Sequence, residues 1–203
     1  MAKRPSLRKK DPAIYQLKVQ LRYITPLIWR RIEVHDDITL ERLHQILQIV
    51  FGWMNSHLHG FQAGNRTIGM PDVDEFGDLP PVEDENKVRL CEIGLRPSSH
   101  FTYTYDFGDT WEHDITVDRI APPEPNVVYP RCLDGRRSGP PEDCGGPPGY
   151  AEFLKAIRNP KHPEHKEMLQ WSGPFDPEAF SVEKLNRILT GKRAAGRRSV
   201  RPW

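Results

Sequence analysis

The chain has 203 residues, 37% of them hydrophobic and 28% charged, which suits one soluble globular domain with long loops. No run of about 18 apolar residues occurs, so no membrane span or membrane partner is expected. The basic start, MAKRPSLRKKD, lacks the apolar segment of a signal peptide, and three cysteines are too few for a disulfide framework, so a reducing cytoplasm is the expected setting.

The net charge of +1 hides an asymmetry. Residues 1–10 carry five Lys/Arg and residues 190–203 five more, with no acidic residue in either stretch. The body between them holds 19 basic against 28 acidic residues, which makes it a poor platform for nucleic acid. Tails of this composition are expected to be disordered. A second reading has them contact nucleic acid by neutralising phosphates. The expected organisation is a basic tail over 1–12, a single domain over 13–190 and a second basic tail over 191–203.

Tyr15, Leu17, Val19, Leu21 and Tyr23 alternate with Gln16, Lys18, Gln20 and Arg22, the period of a half-buried strand. Thr25-Pro26 makes a turn. Ile28, Ile32 and Val34 line one face of a second strand, and Trp29, Arg31 and Glu33 the other. Arg30 falls on the apolar face, which predicts an edge position or a carboxylate partner. Thr39 is placed to cap a helix with Glu41 in its first turn. Leu40, Leu43, Leu47, Val50 and Met54 recur at helical spacing, with Gly52 near the end. A strand is expected from His57 to Ala63, then an acidic, Pro-containing loop over 71–85 and a helical turn within 88–94.

The stretch FTYTYDFGDTWEHDITV, residues 101–117, reads as a hairpin. Phe101, Tyr103, Tyr105 and Phe107 alternate with polar residues, as do Trp111, His113, Ile115 and Val117 after the break. A three-residue loop, Gly108 to Thr110, would pair Phe107 with Trp111 and Tyr105 with His113. That register keeps both apolar sets on one face, whereas a one-residue slip would bury several charges. Asp106, Glu112 and Asp114 then lie on the polar face and Asp109 at the tip. A strand over 127–133, a Gly/Pro-rich loop over 134–149 and three helices follow, over 150–157, over 163–170 and after a Ser181 cap. The order predicts an α+β fold: a mixed sheet around one long amphipathic helix, β-grasp-like, with C-terminal helices as an appendage.

These motifs resemble the plasmid open-reading-frame-three-like family, also labelled insertion-element passenger or TnpR-like proteins. The resemblance is carried by Tyr15 to Val19, Pro26 to Ile32, Phe51-Gly52-Trp53, His57-Leu58-His59 with Phe61, Tyr105 to Asp109 with Trp111 and His113, and Pro141 to Gly146 with Gly149-Tyr150. It spans about residues 13–190. It implies an α+β domain of bacteria and archaea carried on mobile elements, with no settled activity. The TnpR label points to a resolvase, but no serine-recombinase pattern or helix-turn-helix is present, so that chemistry is not carried over.

Several residues exceed what local structure demands. His57, His59, His113, Cys132 and Cys144 are candidate ligands of a zinc site; the other reading makes them hydrogen-bonded core histidines and small apolar cysteines. Asp106, Asp109, Glu112 and Asp114 suit a divalent cation or acid–base work, or else a solvated face with a turn-forming Asp. Glu142, Asp143 and Cys144 precede two glycines, which allow close backbone approach or a tight turn. A nucleophilic Cys144 would need His57, His59 or His113 as base. The expectation is that the Gly/Pro loop folds over the hairpin end, bringing a cysteine to these histidines beside Trp111 or Tyr105. Trp29 and Arg31 form a candidate interface pair. The favoured function is a non-enzymatic binding or accessory module of a mobile element, with a protein partner and no cofactor. The alternative is a metal- or cysteine-dependent hydrolase using the His57, His59, His113 and Cys144 cluster.

Overall fold

The computed structural model describes residues 12–70 and 82–191. The expected basic tails lie outside the described residues, apart from Pro12 and Gly191, as does most of the 71–85 loop. The chain opens with strands β1 (Ile14–Leu21) and β2 (Trp29–His35), then helix α1 (Leu40–Phe51). Next come β3 (His59–Ala63), β4 (Arg66–Gly69), the two-residue β5 (Glu83–Asp84) and a 3-10 turn (Leu90–Glu92). The hairpin strands are β6 (His100–Tyr105) and β7 (Trp111–Ala121), and β8 (Arg131–Arg136) closes the set. Helices α2 (Gly146–Arg158), α3 (His165–Ser172) and α4 (Val182–Leu189) end it. The class is α+β. All eight strands join one sheet in the order β5-β4-β3-β6-β7-β1-β2-β8, antiparallel except where β4 meets β5.

Strand alternation places the core. Tyr15, Leu17, Val19 and Leu21 are buried from β1, and Phe101, Tyr103 and Tyr105 from β6. Helix α1 lies over this face. Thr39 Oγ1 accepts the Arg42 N–H at 3.1 Å, and Gly52 ends the helix in the left-handed region at φ 84. Leu40, Leu43, Ile46, Leu47, Val50 and Phe51 are buried along it, each stabilising by about 1.5–3 kcal/mol. Met54 and Tyr23, expected to extend these apolar faces, are 78% and 73% exposed, because the helix has already ended at Gly52 and β1 at Leu21.

The hairpin pairs Tyr105 with Trp111 and Tyr103 with His113. Both apolar sets share a face, but the loop has five residues, 106–110, instead of three. The cause is tertiary. Asp106 N–H donates to Leu58 O at 2.8 Å, and Asp106 Oδ1 accepts the Gly108 N–H at 2.9 Å. The chain therefore leaves the ladder at Asp106, and Phe107 is turned out, 57% exposed. β8 starts later than expected, at Arg131. Its edge is covered by α4, where the Asn186 amide bonds both the Cys132 N–H (2.7 Å) and the Cys132 carbonyl (2.9 Å). α2 begins at Gly146 rather than 150, since Pro147 and Pro148 occupy its first turn, where no N–H is needed. Trp29 and Arg31 sit on the other face. Trp29 is half-buried with Lys18 and Arg31 over its ring, and Arg31 pairs with Asp118 at 2.8 Å.

Arg30 departs from expectation. It is 2% exposed and meets no carboxylate among the described residues. Its guanidinium donates to four carbonyls: Val50 at 2.6 Å, Trp29 at 2.8 Å, Arg136 at 2.8 Å and Arg137 at 2.7 Å. The rings of Phe51 and Phe180 lie 5.0 and 4.7 Å from it. Burial lowers its pKa to about 10, so it stays charged at neutral pH. The rigid fork of donors fits this cage, and an ammonium does not. Arg30→Met should lower the unfolding free energy by about 3 kcal/mol or more, because several buried carbonyls lose their donors. Arg30→Lys should recover only a minor part. Urea denaturation midpoints measure both, and a loss below about 1 kcal/mol for Arg30→Met would show that the carbonyls find other donors.

Candidate functional site

After β8 the chain runs back along the end of α1. A Cβ on Gly139 would sit 2.0 Å from the Phe51 carbonyl oxygen, so no larger residue fits. Trp53 Nε1 donates to Pro140 O at 2.9 Å, and Met54 N–H to Glu142 Oε1 at 3.2 Å. Glu142 also accepts the Tyr105 hydroxyl, and the Tyr105 oxygen accepts the Ser56 N–H at 2.9 Å. Burial, then the Glu142 carboxylate, hold the Tyr105 phenol above its ordinary pKa. At the hairpin tip Asp109 Oδ2 accepts the Gly145 N–H at 3.1 Å. Gly146 rests on the Asp109 carbonyl at φ 65, where a Cβ would come within 2.3 Å of the oxygen.

This docking sets three side chains together. His57 follows α1, Asp106 opens the hairpin loop and Asp143 comes from the Gly-rich loop. His57 Nε2 is 2.9 Å from Asp143 Oδ1 and 3.7 Å from Asp106 Oδ2. Its ring meets Tyr105 edge-on at 5.8 Å. One candidate ligand atom from each residue lies within 4.8 Å of the others, the only such group of His, Cys, Asp or Glu among the described residues.

Beside it opens a cleft of about 560 Å³, lined by His44, Asn55, Ser56, His57, His59 and Glu85 among others. Its floor is a closed ring of hydrogen bonds. Gln48 Nε2 donates to the Tyr103 hydroxyl oxygen (3.0 Å), and that hydroxyl meets His44 Nδ1 (2.7 Å). His44 Nε2 meets Asn55 Oδ1 (2.7 Å), and Asn55 N–H returns to Gln48 Oε1 (2.9 Å). The ring fixes the tautomer: Nε2 donates to the amide oxygen and Nδ1 accepts from the phenol. His59 stacks on His44 at 3.4 Å, nearly parallel. Its Nε2 meets Glu85 Oε2 at 2.8 Å, while among the described residues Nδ1 has no hydrogen-bond partner. Burial, then the neighbouring His59, push the His44 pKa down to about 4. His44 and Gln48 escaped the sequence reading, although two polar residues four apart on the buried stripe of α1 were a visible signal.

The expected zinc set is divided. β3 begins at His59, so His57 lies before the strand and the two do not share a face. His113 is under Phe51 and Trp53, its Nδ1 3.2 Å from Tyr103 O. Burial takes its pKa down to about 3. Cys132 is clamped in β8, and burial raises its thiol to about 11. Cys144 faces a second cavity between α2 and α3. Burial, with Asp109 and Asp143 beside it, raises that thiol to about 12. Among the described residues His59, His113, Cys132 and Cys144 do not converge with His57; strand alternation turns His113 under α1, and Cys132 lies in β8 with its main chain held by Asn186 of α4. Trp111 is fully buried, and Asp109 and Glu142 serve as anchors of the loop.

The sequence model described as plasmid pRiA4b ORF-3-like protein matches residues 13–184. The chain is 37% identical over 191 residues to uncharacterized protein y4hQ of Sinorhizobium fredii, covering 93% of this chain and 97% of that one. It is similar to the crystal structure of MM3350, a protein of unknown function from Methanosarcina mazei Go1, at 35% identity and a TM-score of 0.79, covering 86% of this chain and 98% of the other.

The two depressed histidines give the fold a pH dependence. Unfolded, each titrates near its ordinary value of about 6.5; folded, His44 and His113 titrate at about 4 and about 3. Between those values the unfolded chain binds more protons, so stability is full above about pH 6.5 and falls as the pH drops toward about 3. Each unit of difference is worth about 1.4 kcal/mol. Thermal melts should shift to lower temperature on acidification in this window. His113→Phe, which removes one titrating group, should give a shallower slope than the wild type; equal slopes would remove His113 from the account.

Proposed function

This chain belongs to the plasmid pRiA4b ORF-3-like family, and we propose that it is a binding module rather than an enzyme, taking a small polar ligand into the cleft lined by His44, Asn55, His59 and Glu85. The closed ring of Gln48, Tyr103, His44 and Asn55 carries this reading. A site whose polar groups are already locked in place recognises a ligand by directional hydrogen bonds without reorganising. The His59 ring borders the cleft, and its Nδ1 is a buried polar atom without a hydrogen-bond partner among the described residues. A cysteine hydrolase needs a thiol and a base within hydrogen-bond reach, and Cys144 lines a different cavity. Membership of a plasmid-named family supports an accessory role on a mobile element. The absence among the described residues of a helix able to cross a membrane is compatible with work in the cytoplasm. The basic tails would add contact with nucleic acid or a protein partner. In fold terms, the N-terminal hairpin followed by the crossing helix α1 supports a β-grasp-like description of the core.

The test is a screen of small polar fragments against chelator-treated protein by NMR. Shifts should cluster on the His44, Asn55 and His59 side chains and vanish in His59→Ala. Turnover of a generic ester or phosphoester that disappears in His59→Ala would make the protein an enzyme instead, as would fast alkylation of Cys144 coupled to that activity.

A further inference from the structure

We propose that His57, Asp106 and Asp143 form a binding site for one divalent first-row transition-metal ion, of the zinc or manganese class, with water completing its shell. The site stands apart from the cleft reading, because only His57 touches both.

His57 Nε2 is buried and has no aligned hydrogen bond, although it lies 2.9 Å from one carboxylate oxygen and 3.7 Å from another. An ordinary His–Asp ion pair would point an N–H at the oxygen. Two carboxylates held at one imidazole also repel each other unless a positive charge, an imidazolium or a bound cation, sits between them. Among the described residues no Lys or Arg pairs with either. The other nearby polar groups are engaged elsewhere. Asp106 Oδ1 accepts the N–H groups of Gly108 (2.9 Å) and Asp109 (3.3 Å), which leaves Oδ2 turned to His57. Asp109 Oδ2 holds Gly145, and the Tyr105 hydroxyl is committed to Glu142 and Ser56.

The spacing fits an ion. Metal bonds of about 2.0–2.2 Å in a tetrahedral shell put ligand atoms about 3.3–3.6 Å apart. The His57 separations, 2.9 and 3.7 Å, lie just below and just above that range, and all three ligand atoms lie within 4.8 Å of one another, so small side-chain shifts would seat an ion. One imidazole and two carboxylates form a mixed N/O set, which suits zinc, cobalt or manganese better than an all-oxygen calcium site. The three ligands come from three segments pinned by the loop docking, so the site is assembled before an ion arrives.

Asparagine suits the backbone at both aspartates. Asp106 and Asp143 have φ near +58 and +59, a region asparagine adopts readily. Asparagine at 106 would still accept the Gly108 N–H. The experiment is calorimetric titration of chelator-stripped full-length protein with zinc chloride, paired with cobalt chloride for its visible absorption. Wild type should take one equivalent of zinc, and the cobalt spectrum should be that of a bound, nitrogen-ligated ion. Asp106→Asn and Asp143→Asn should each weaken zinc by at least about tenfold, and His57→Ala should abolish binding, with melting temperatures unchanged without metal. No uptake by wild type at millimolar zinc would overturn the site. So would one equivalent bound with equal affinity by all three variants, which would put the ion elsewhere.

Discussion

Arg30 brings a full positive charge into the core with no carboxylate among the described residues beside it, and backbone carbonyls hold it there. One of them, Val50, lies in the last turn of α1, where carbonyls lack helical partners and carry the negative end of the helix dipole. Two others, Arg136 and Arg137, lie where β8 ends. One side chain thus ties the end of α1 to the end of β8. Two of the segments that build the candidate site leave from these points, 52–58 from α1 and the Gly-rich loop from β8, and both close on the hairpin end.

From that junction the loop is clasped down step by step. Gly139 lies on Phe51, Pro140 accepts from Trp53, Glu142 bridges Met54 and Tyr105, and Asp109 holds Gly145. The glycines are required where they stand. Any side chain at Gly139 or Gly146 would strike a carbonyl oxygen of the segment beneath. Composition that looks like a loose loop is, at these positions, the condition for close backbone contact. The result is a rigid frame in which a histidine and two aspartates face each other beside a polar cleft, with no rearrangement needed to form either.

Much of this architecture could be read from side-chain periodicity, and the failures share one cause. Alternation in 101–117 told which hairpin residues share a face, because parity survives any even change of loop length. It could not tell the loop length, which the Asp106 contact with Leu58 decides from outside the hairpin. Thr39 and Ser181 were legible as caps because a cap is a local bond. Arg30 was visible as a charge on an apolar face, but its partners are carbonyls, which no residue type encodes. His57, Asp106 and Asp143 were each named as site candidates. Their grouping, and the exclusion of His59, His113 and Cys132, depend on where β3 starts and which face of the sheet α1 covers. His44 was passed over because Leu40, Leu43 and Leu47 dominate its stripe, and its partners Tyr103 and Asn55 meet it only in the folded sheet.

The clasped loop is the claim on which the ion site rests, and Cys144 is its reporter. This half-buried thiol lies between Asp143 and Gly145, inside the clasped segment. The decisive measurement is its alkylation rate, followed by peptide mass spectrometry, in native protein and in protein unfolded by urea at the same pH. A clasped loop predicts alkylation far slower in the native state and sharply faster in Gly139→Ala, whose added methyl cannot fit against Phe51. Native Cys144 reacting as fast as in the unfolded chain would contradict the account, because the loop would then be open and the three ligands unassembled.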